Sequence, residues 1–255
     1  MIKCLIIKEN TGKEIGYFGG IGQGPGEVIK VPTFTGMSPK KDTLYIHDFN
    51  ARDMKIYYLN AKDSTVSFKF AYSKKLANPL VDNLGTGYFT ICRLKNGHYV
   101  GLSGLCHSDI FHVLDSDLNI VKRFGGFPLD GLTTDGSTTN MTLSFMGNLV
   151  NHGNSIYYAA NKFGYIARYD ITDDLEIKLV WENFYSKTDY RIDNRQVKFG
   201  SDNLHGFSGI AVGKDYIFTT FSGIPTQQMY KERSAYAVDA KTLAILTHDG
   251  KPVGR

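Results

Sequence analysis

Short runs of apolar and aromatic residues alternate with polar, turn-forming stretches along almost the whole chain. Runs such as TLYIHD (43–48) and SIYYAA (155–160) are rich in residues that favour strands, and Gly, Asn, Asp and Lys cluster between the runs. Apolar spacing typical of helices is rare, and the best helix candidate is a short stretch at 191–198. The pattern therefore predicts an all-β chain in which tight turns join short strands.

Strand pairs of one design recur along the chain, each made of a strand, a polar turn and a second strand. With Tyr45, Tyr99, Tyr157 and Ile217 taken as equivalent positions, successive pairs are 54, 58 and 60 residues apart. A further strand precedes each pair, and another follows most of them. The four pairs cover residues 43–59, 97–115, 154–170 and 215–239.

Units of four antiparallel strands that repeat in this way predict a β-propeller, whereas a β-sandwich would not repeat its units in order. Predicted inner strands such as FTIC (89–92) are apolar, and predicted outer strands such as NIVKRF (119–124) accept lysine, as an exposed rim allows. Residues 2–20 resemble only the two outer strands of a blade, and the tail from residue 244 stops before the pattern is complete. We therefore expect one propeller domain over 1–255, with about five blades visible.

The amino-acid composition argues against nucleic-acid binding and against a membrane-spanning protein. The formal net charge of +4 comes from scattered lysines and forms no basic stripe, so no nucleic acid is expected as a partner. No apolar run approaches the ~20 residues that cross a bilayer, so no transmembrane segment is expected. The three cysteines, Cys4, Cys92 and Cys106, lack metal-ligand spacing and lie in apolar contexts, which predicts inert buried thiols.

The loop GGIGQGPGE (19–27) has the glycine content of a phosphate-binding loop but not the pattern of one. A Walker loop needs GK[ST], and here Gly26 is followed by Glu27. A dinucleotide-binding fingerprint needs GxGxxG at the start of a helix, and Pro25 followed by VIKVP does not start one. We therefore expect a sharp bend between two strands, in which glycines adopt positive φ.

GGIGQGPGEVIKVP (19–32) followed by LYIHDFNARDMKIYYL (44–59) resembles the opening of TolB-like six-bladed β-propeller proteins of bacteria, which are related in pattern to NHL repeats. The polar element of that pattern is matched by Asp48, Asn50 and Arg52. Later units lack it, although a weaker strand pattern continues to about residue 250. The resemblance implies a six-bladed ring of uncharacterised role and a cell-envelope or periplasmic location. The opening residues lack the features of an export signal, so the location stays open.

Propeller topology predicts where binding residues lie, because the loops between the second and third strands of each blade, and those between blades, gather at one end of the central channel. The interblade loops considered also include Asp82 and Asn83 and the stretch 133–140. The candidate binding residues are Asn50, Arg52, His107, Asp109, Asn161, Lys162, His205, Thr226 and Gln227.

Each candidate also has a purely structural interpretation. Asp48, Asn50 and Arg52 can hold their own turn, and Asp109 can cap another. His107 next to Cys106 does not form a thiol–imidazole pair in a strand, because neighbouring side chains point to opposite faces. The long inserts 124–148 and 185–209, and the turn SGIPTQQMYKER (222–233), are rich in Tyr, Asn, Gln and Thr, which suits recognition by hydrogen bonds and stacking.

The sequence thus favours a non-enzymatic binding or scaffold propeller that recognises a protein, peptide or glycan through one end of the channel, with no cofactor and no metal site assigned. The alternative is a lactonase-like hydrolase with a divalent metal in the channel mouth, for which Asn50, Asp109 and Asn161 would have to converge. RNA binding through Arg52, Lys162, Lys231 and Arg233 is a third possibility, with only a small basic surface.

Overall fold

The computed structural model describes residues 4–7, 11–29, 32–62, 65–76, 87–104, 109–131, 140–193, 196–231, 240 and 242–254. These residues form four four-stranded antiparallel sheets and two separate two-stranded hairpins, with little helix. The first hairpin pairs two strands near the start of the chain, β1 (Cys4–Ile7) and β2 (Glu14–Phe18). The sheets are propeller blades, and we number them in chain order.

In each blade the chain runs up and down through neighbouring strands from one side of the sheet to the other. Blade 1 consists of β3 (Pro32–Met37), β4 (Thr43–Asp48), β5 (Asp53–Lys62) and β6 (Thr65–Lys75). Blade 2 consists of β7 (Tyr88–Arg93), β8 (Tyr99–Ser103), β9 (Phe111–Leu114) and β10 (Ile120–Phe124). As predicted, β7 is mostly buried and β10 mostly exposed, so the lysine-bearing strand is the outer one.

Blades 3 and 4 follow the same order. A 3₁₀ helix (Asn140–Phe145) precedes blade 3, which consists of β11 (Gly147–His152), β12 (Ser155–Ala160), β13 (Tyr165–Ile171) and β14 (Ile177–Phe184). An inserted hairpin, β15 (Tyr190–Asp193) and β16 (Gln196–Phe199), follows. Blade 4 consists of β17 (Phe207–Val212), β18 (Tyr216–Phe221), β19 (Thr242–Thr247) and β20 (Pro252–Gly254), with a short helix α1 (Thr226–Lys231) between β18 and β19.

Blades pack face to face in chain order. The first strands of successive blades contact one another in series, β3 with β7, β7 with β11 and β11 with β17. Each interface has its own apolar cluster: Met54 and Tyr88 belong to the one between blades 1 and 2, and Phe111 and Tyr158 to the one between blades 2 and 3. A blade has two faces to remove from water, and its neighbours cover them.

The first hairpin covers the other face of blade 1. Strand β2 contacts β6, and Phe18 packs edge-on against Tyr57 with ring centroids 5.3 Å apart. Leu44 and Ile46 complete this cluster. Strands β1 and β2 therefore lie beside blade 1 as a two-stranded piece, and four complete blades plus this hairpin agree with the expected count of about five.

The glycine-rich loop folds around the carboxylate of its own Glu27. Glu27 Oε2 accepts a hydrogen bond from the Gly24 amide at 2.8 Å, and a Cβ added at Gly22 would lie 2.0 Å from the same oxygen. Gly26 has φ +76°, and its carbonyl accepts a hydrogen bond from Tyr57 at 2.8 Å. The loop is a bend that docks on blade 1, and a carboxylate fills the concavity that a phosphate loop would keep open.

Two expectations about secondary structure are wrong. The helix candidate at 191–198 lies in the inserted hairpin, because Ile192 and Val197 alternate with polar neighbours at the period of a strand. The tail does not stop mid-pattern: β19 pairs with β18 from Tyr216↔Thr247 to Phe221↔Thr242, and β20 completes blade 4. The segment 232–239, which contains most of the strand expected to follow the turn in that unit, lies outside the described residues.

Candidate functional site

Three chain segments meet at one end of the interface between blades 3 and 4: the β12–β13 turn (161–164), the connection before β17 (200–206) and the segment after β18 that leads into α1 (222–226). Main-chain hydrogen bonds join them. The Gly206 amide donates to the carbonyl of Asn161 at 2.9 Å, and the His205 amide donates to the carbonyl of Ile224 at 2.9 Å. The positions of these loops are therefore fixed relative to one another and to the two blades.

Asn203 is the residue that ties the three segments together. It is 1% exposed, and its Nδ2 donates to the carbonyl of Lys162 at 2.9 Å. The main-chain carbonyl of Asn203 accepts hydrogen bonds from the Thr226 amide at 2.9 Å and from Thr226 Oγ1 at 3.1 Å. A buried residue that is hydrogen-bonded to both neighbouring segments, through its side chain to one and its main chain to the other, gives the site a fixed base.

A pocket of about 480 Å³ opens above this base. This volume lies within the range of small-molecule sites. The 3₁₀ helix, the β12–β13 turn, the inserted hairpin, the connection before β17 and α1 each contribute to the wall. The lining residues are Leu143, Ser144, Lys162, Val197, Lys198, Phe199, His205, Thr226, Met229 and Tyr230.

The polar part of the pocket combines a cation with a neutral imidazole. Burial lowers the pKa of Lys162 from its ordinary value, because desolvation disfavours the charged amine. Burial, and then the nearby charge of Lys162, lower the pKa of His205 to about 4. At neutral pH His205 is therefore uncharged and offers one hydrogen-bond donor and one acceptor. Lys198 adds a second, exposed amine to the rim.

Aromatic and aliphatic side chains form the rest of the wall. Tyr230 is 80% exposed, whereas Met229 beside it on α1 is 6% exposed and anchors the helix. Phe199 stacks on Phe163 of the β12–β13 turn, with ring centroids 5.8 Å apart. Leu143 is 53% exposed. The pocket thus offers hydrogen-bonding groups and positive charge beside apolar surface.

The structure brings five of the nine sequence-predicted residues to this corner of the molecule. Lys162, His205 and Thr226 line the pocket. Asn161 lies beside it, but its Nδ2 donates to the carbonyl of Phe207 and so holds blade 4 against blade 3. Gln227 is exposed on α1 and donates through Nε2 to Asp202 Oδ1 at 3.3 Å.

Of the remaining four, three lie in blades 1 and 2. Asn50 and Arg52 form the β4–β5 turn of blade 1, where Asp48 Oδ1 accepts from the amides of Asn50 and Ala51 at 3.1 and 3.0 Å. Asp48 Oδ2 accepts from the Ile29 amide at 2.8 Å, so the carboxylate holds its turn and the glycine-rich loop. Asp109 precedes β9 in blade 2. His107, together with Cys106, Asp82, Asn83 and Arg233, lies outside the described residues.

Sequence reasoning missed most of the pocket wall. Val197, Lys198 and Phe199 come from a hairpin that the sequence did not predict, and Met229 and Tyr230 come from a helix read as a turn. The available signal was loop length, because residues 185–209 and 222–233 were both recognised as long inserts.

Among the described residues, no three or more His, Cys, Asp or Glu side chains are grouped so that they could hold a metal ion. Within the same part of the chain, no helix is long and apolar enough to cross a membrane.

A family model described as TolB-like 6-blade propeller-like matches residues 12–255. The solved structure of a functionally unknown protein from Desulfotomaculum acetoxidans is similar to this chain, with 14% identity over 97% of this chain and 62% of that one and a TM-score of 0.50. A protein from Lactobacillus plantarum has 11% identity over 98% of this chain and 62% of that one, with a TM-score of 0.48.

A candidate 6-phosphogluconolactonase from Bacteroides uniformis has 11% identity over 97% of this chain and 62% of that one, with a TM-score of 0.47. The chain thus spans about 62% of the length of all three proteins. At these identities the likeness concerns the fold alone. No curated protein matches the chain.

Proposed function

Because the chain belongs to the TolB-like 6-blade propeller-like family, we propose that it is a binding propeller that recognises a protein, peptide or glycan partner through the pocket between blades 3 and 4. The observation that carries this proposal is the pocket itself, about 480 Å³, with Lys162, His205 and Thr226 on its wall. Rigid sheets hold its loops in place, which lowers the ordering cost of binding.

The side-chain chemistry supports binding more directly than catalysis. His205 and Lys162 are neighbours in the pocket. Hydrogen bonds within the protein hold the main chains of their loops, so both side chains contact a partner from fixed positions. The exposed ring of Tyr230 and the exposed side chain of Leu143 offer contact area to a partner. Rigid aromatic surface beside a few polar groups is the usual composition of a recognition site.

The hydrolase alternative requires Asn50, Asp109 and Asn161 to share one ion. They lie in turns of three different blades, and the Asn161 amide already donates to the carbonyl of Phe207. Calcium or manganese added to the purified chain tests this alternative. A rise of several degrees in Tm would support a metal site, and an unchanged Tm is expected for a binding protein without one.

The test of the proposal is a binding screen of the chain on glycan and peptide arrays, repeated with Tyr230→Ala and Lys162→Met. The matched control is Lys95→Met, because Lys95 is an exposed lysine in the β7–β8 turn of blade 2. We expect the two pocket variants to lose the partner while the control retains it and all three keep the wild-type Tm. A partner that binds both pocket variants as well as the wild type would refute the proposal.

A further inference from the structure

Among the described residues, the pocket wall carries positive charge and no carboxylate. Lys162 and Lys198 are its ionisable cations, and His205 is neutral at pH 7. An ammonium group that is half buried without a nearby anion is in an unfavourable state, and burial accordingly lowers the pKa of Lys162. A bound anion would restore the interaction energy that the amine loses on leaving water.

The charge balance favours a singly charged group. Lys162 alone lies in the pocket as a half-buried cation, whereas Lys198 is exposed and screened by solvent. One carboxylate matches one buried ammonium, and the second negative charge of a phosphate would find only the exposed amine. The anionic group that fits best is therefore a carboxylate.

The remaining polar groups suit hydroxyls. A neutral imidazole donates one hydrogen bond and accepts another, and the hydroxyl of Ser144, which also lines the pocket, does both. The sugar hydroxyl has the same dual character, so His205 and Ser144 can each bond it in either sense. A uronic acid carries its carboxylate and several such hydroxyls on one small ring, whereas a peptide that places a carboxylate on Lys162 must bring its main-chain donors and acceptors to His205 and Ser144 from a longer, more flexible chain.

The exposed ring of Tyr230 supplies the surface on which a sugar ring can stack. It is 80% exposed although the neighbouring Met229 is buried, so α1 holds the ring at the pocket mouth without covering it. The C–H groups on one face of a pyranose can pack against the face of an aromatic ring. A volume of about 480 Å³ lies towards the small end of ligand sites, which fits one or two sugar units.

From this combination we infer that the pocket takes a uronic acid, free or as the end unit of an acidic glycan, with its carboxylate on Lys162 and its ring on Tyr230. The inference rests on the proposed function, since it names the ligand class of the same pocket. His205 and Ser144 bond the sugar hydroxyls in this arrangement.

Isothermal titration of the full chain with methyl glycosides tests the inference. The probes are glucuronate, galacturonate and mannuronate, each paired with its neutral parent, and a short Glu-rich peptide. We expect at least one uronate to bind ten- to a hundredfold more tightly than its parent. Lys162→Met should reduce that preference to about twofold, and Tyr230→Ala should weaken the acid and its parent together. Lys95→Met should change neither.

Four outcomes overturn the inference: uronates that bind no more tightly than their parents, a preference that survives Lys162→Met, a peptide that binds in place of every sugar, or no binding by any probe. In the first three, sensitivity to Tyr230→Ala would leave the proposed function intact. In the fourth, the array screen decides the proposed function separately, because it uses unrelated partners.

Discussion

His47 should make the protein lose stability as the pH falls from 7 to 5. It lies on β4, is 0% exposed, and neither ring nitrogen has a hydrogen-bond partner among the described residues. Burial lowers its pKa from 6.5 to about 4, although the charge of neighbouring Asp48 acts in the opposite direction. The folded state therefore holds His47 neutral, while the unfolded chain protonates it below about pH 6.5.

The sign and size of the effect follow from linkage. The unfolded state binds the proton first, so the free energy of unfolding falls as the pH falls between the two pKa values, 6.5 and about 4. One pKa unit corresponds to about 1.4 kcal/mol, which gives a loss of about 2 kcal/mol between pH 7 and pH 5. Carboxylates contribute little in this window, because their ordinary pKa values lie near 4. His205, whose pKa burial also lowers to about 4, adds a loss of the same sign that the wild type and His47→Leu share.

Urea unfolding at pH 7, 6 and 5 measures this loss, with His47→Leu as the perturbation. Leucine cannot take up the proton and removes two buried nitrogens that lack partners, so the variant should be at least as stable as the wild type at pH 5. His152→Leu, the same substitution at an exposed site, is the matched control. Parallel pH profiles for the wild type and His47→Leu would refute the reasoning.

Two further predictions concern the contacts between blades 3 and 4. Gly250→Ala should cost about 2 kcal/mol of unfolding free energy, because the added Cβ would lie 2.8 Å from the Trp181 ring. Gly153 also has positive φ, but a Cβ added there would meet open space, so Gly153→Ala should cost only about 1 kcal/mol by thermal unfolding. Equal losses of unfolding free energy in Gly250→Ala and Gly153→Ala would contradict the clash with Trp181. Arg168→Met should cost about 2 kcal/mol in urea, because it removes the hydrogen bond from Arg168 Nη1 to the His248 carbonyl of blade 4 at 2.9 Å and a pairing with the half-exposed Asp170. A cost below about 0.5 kcal/mol would show that these contacts are not stabilising.

The sequence was sufficient to predict the blades, because their strands follow a period of two and recur at a nearly constant interval. The repeat from Tyr45 to Tyr157 corresponds to real strand pairs, and the burial of β7 and β10 follows the predicted order of inner and outer strands. The glycine-rich loop was also interpreted correctly, since Glu27 at its end already argued against a phosphate.

The sequence predicted only part of the pocket, because most of its wall comes from inserted loops that do not follow the repeat of the blades. Lys162, His205 and Thr226 were identified because propeller topology places their loops at one end of the blades. Tyr230 was missed because a six-residue helix is too short to show helical periodicity. Lys198 was missed because its segment lies in an inserted hairpin outside the repeat, where the regular spacing gives no guidance.

The most direct test of the pocket between blades 3 and 4 is the position of bound uronate in a crystal structure of the chain. We expect density for the sugar between Lys162 and Tyr230, with its carboxylate within hydrogen-bond distance of the lysine amine. Density at another surface, such as the β4–β5 turn with Asn50 and Arg52, together with an empty pocket, would contradict both the site and its chemistry.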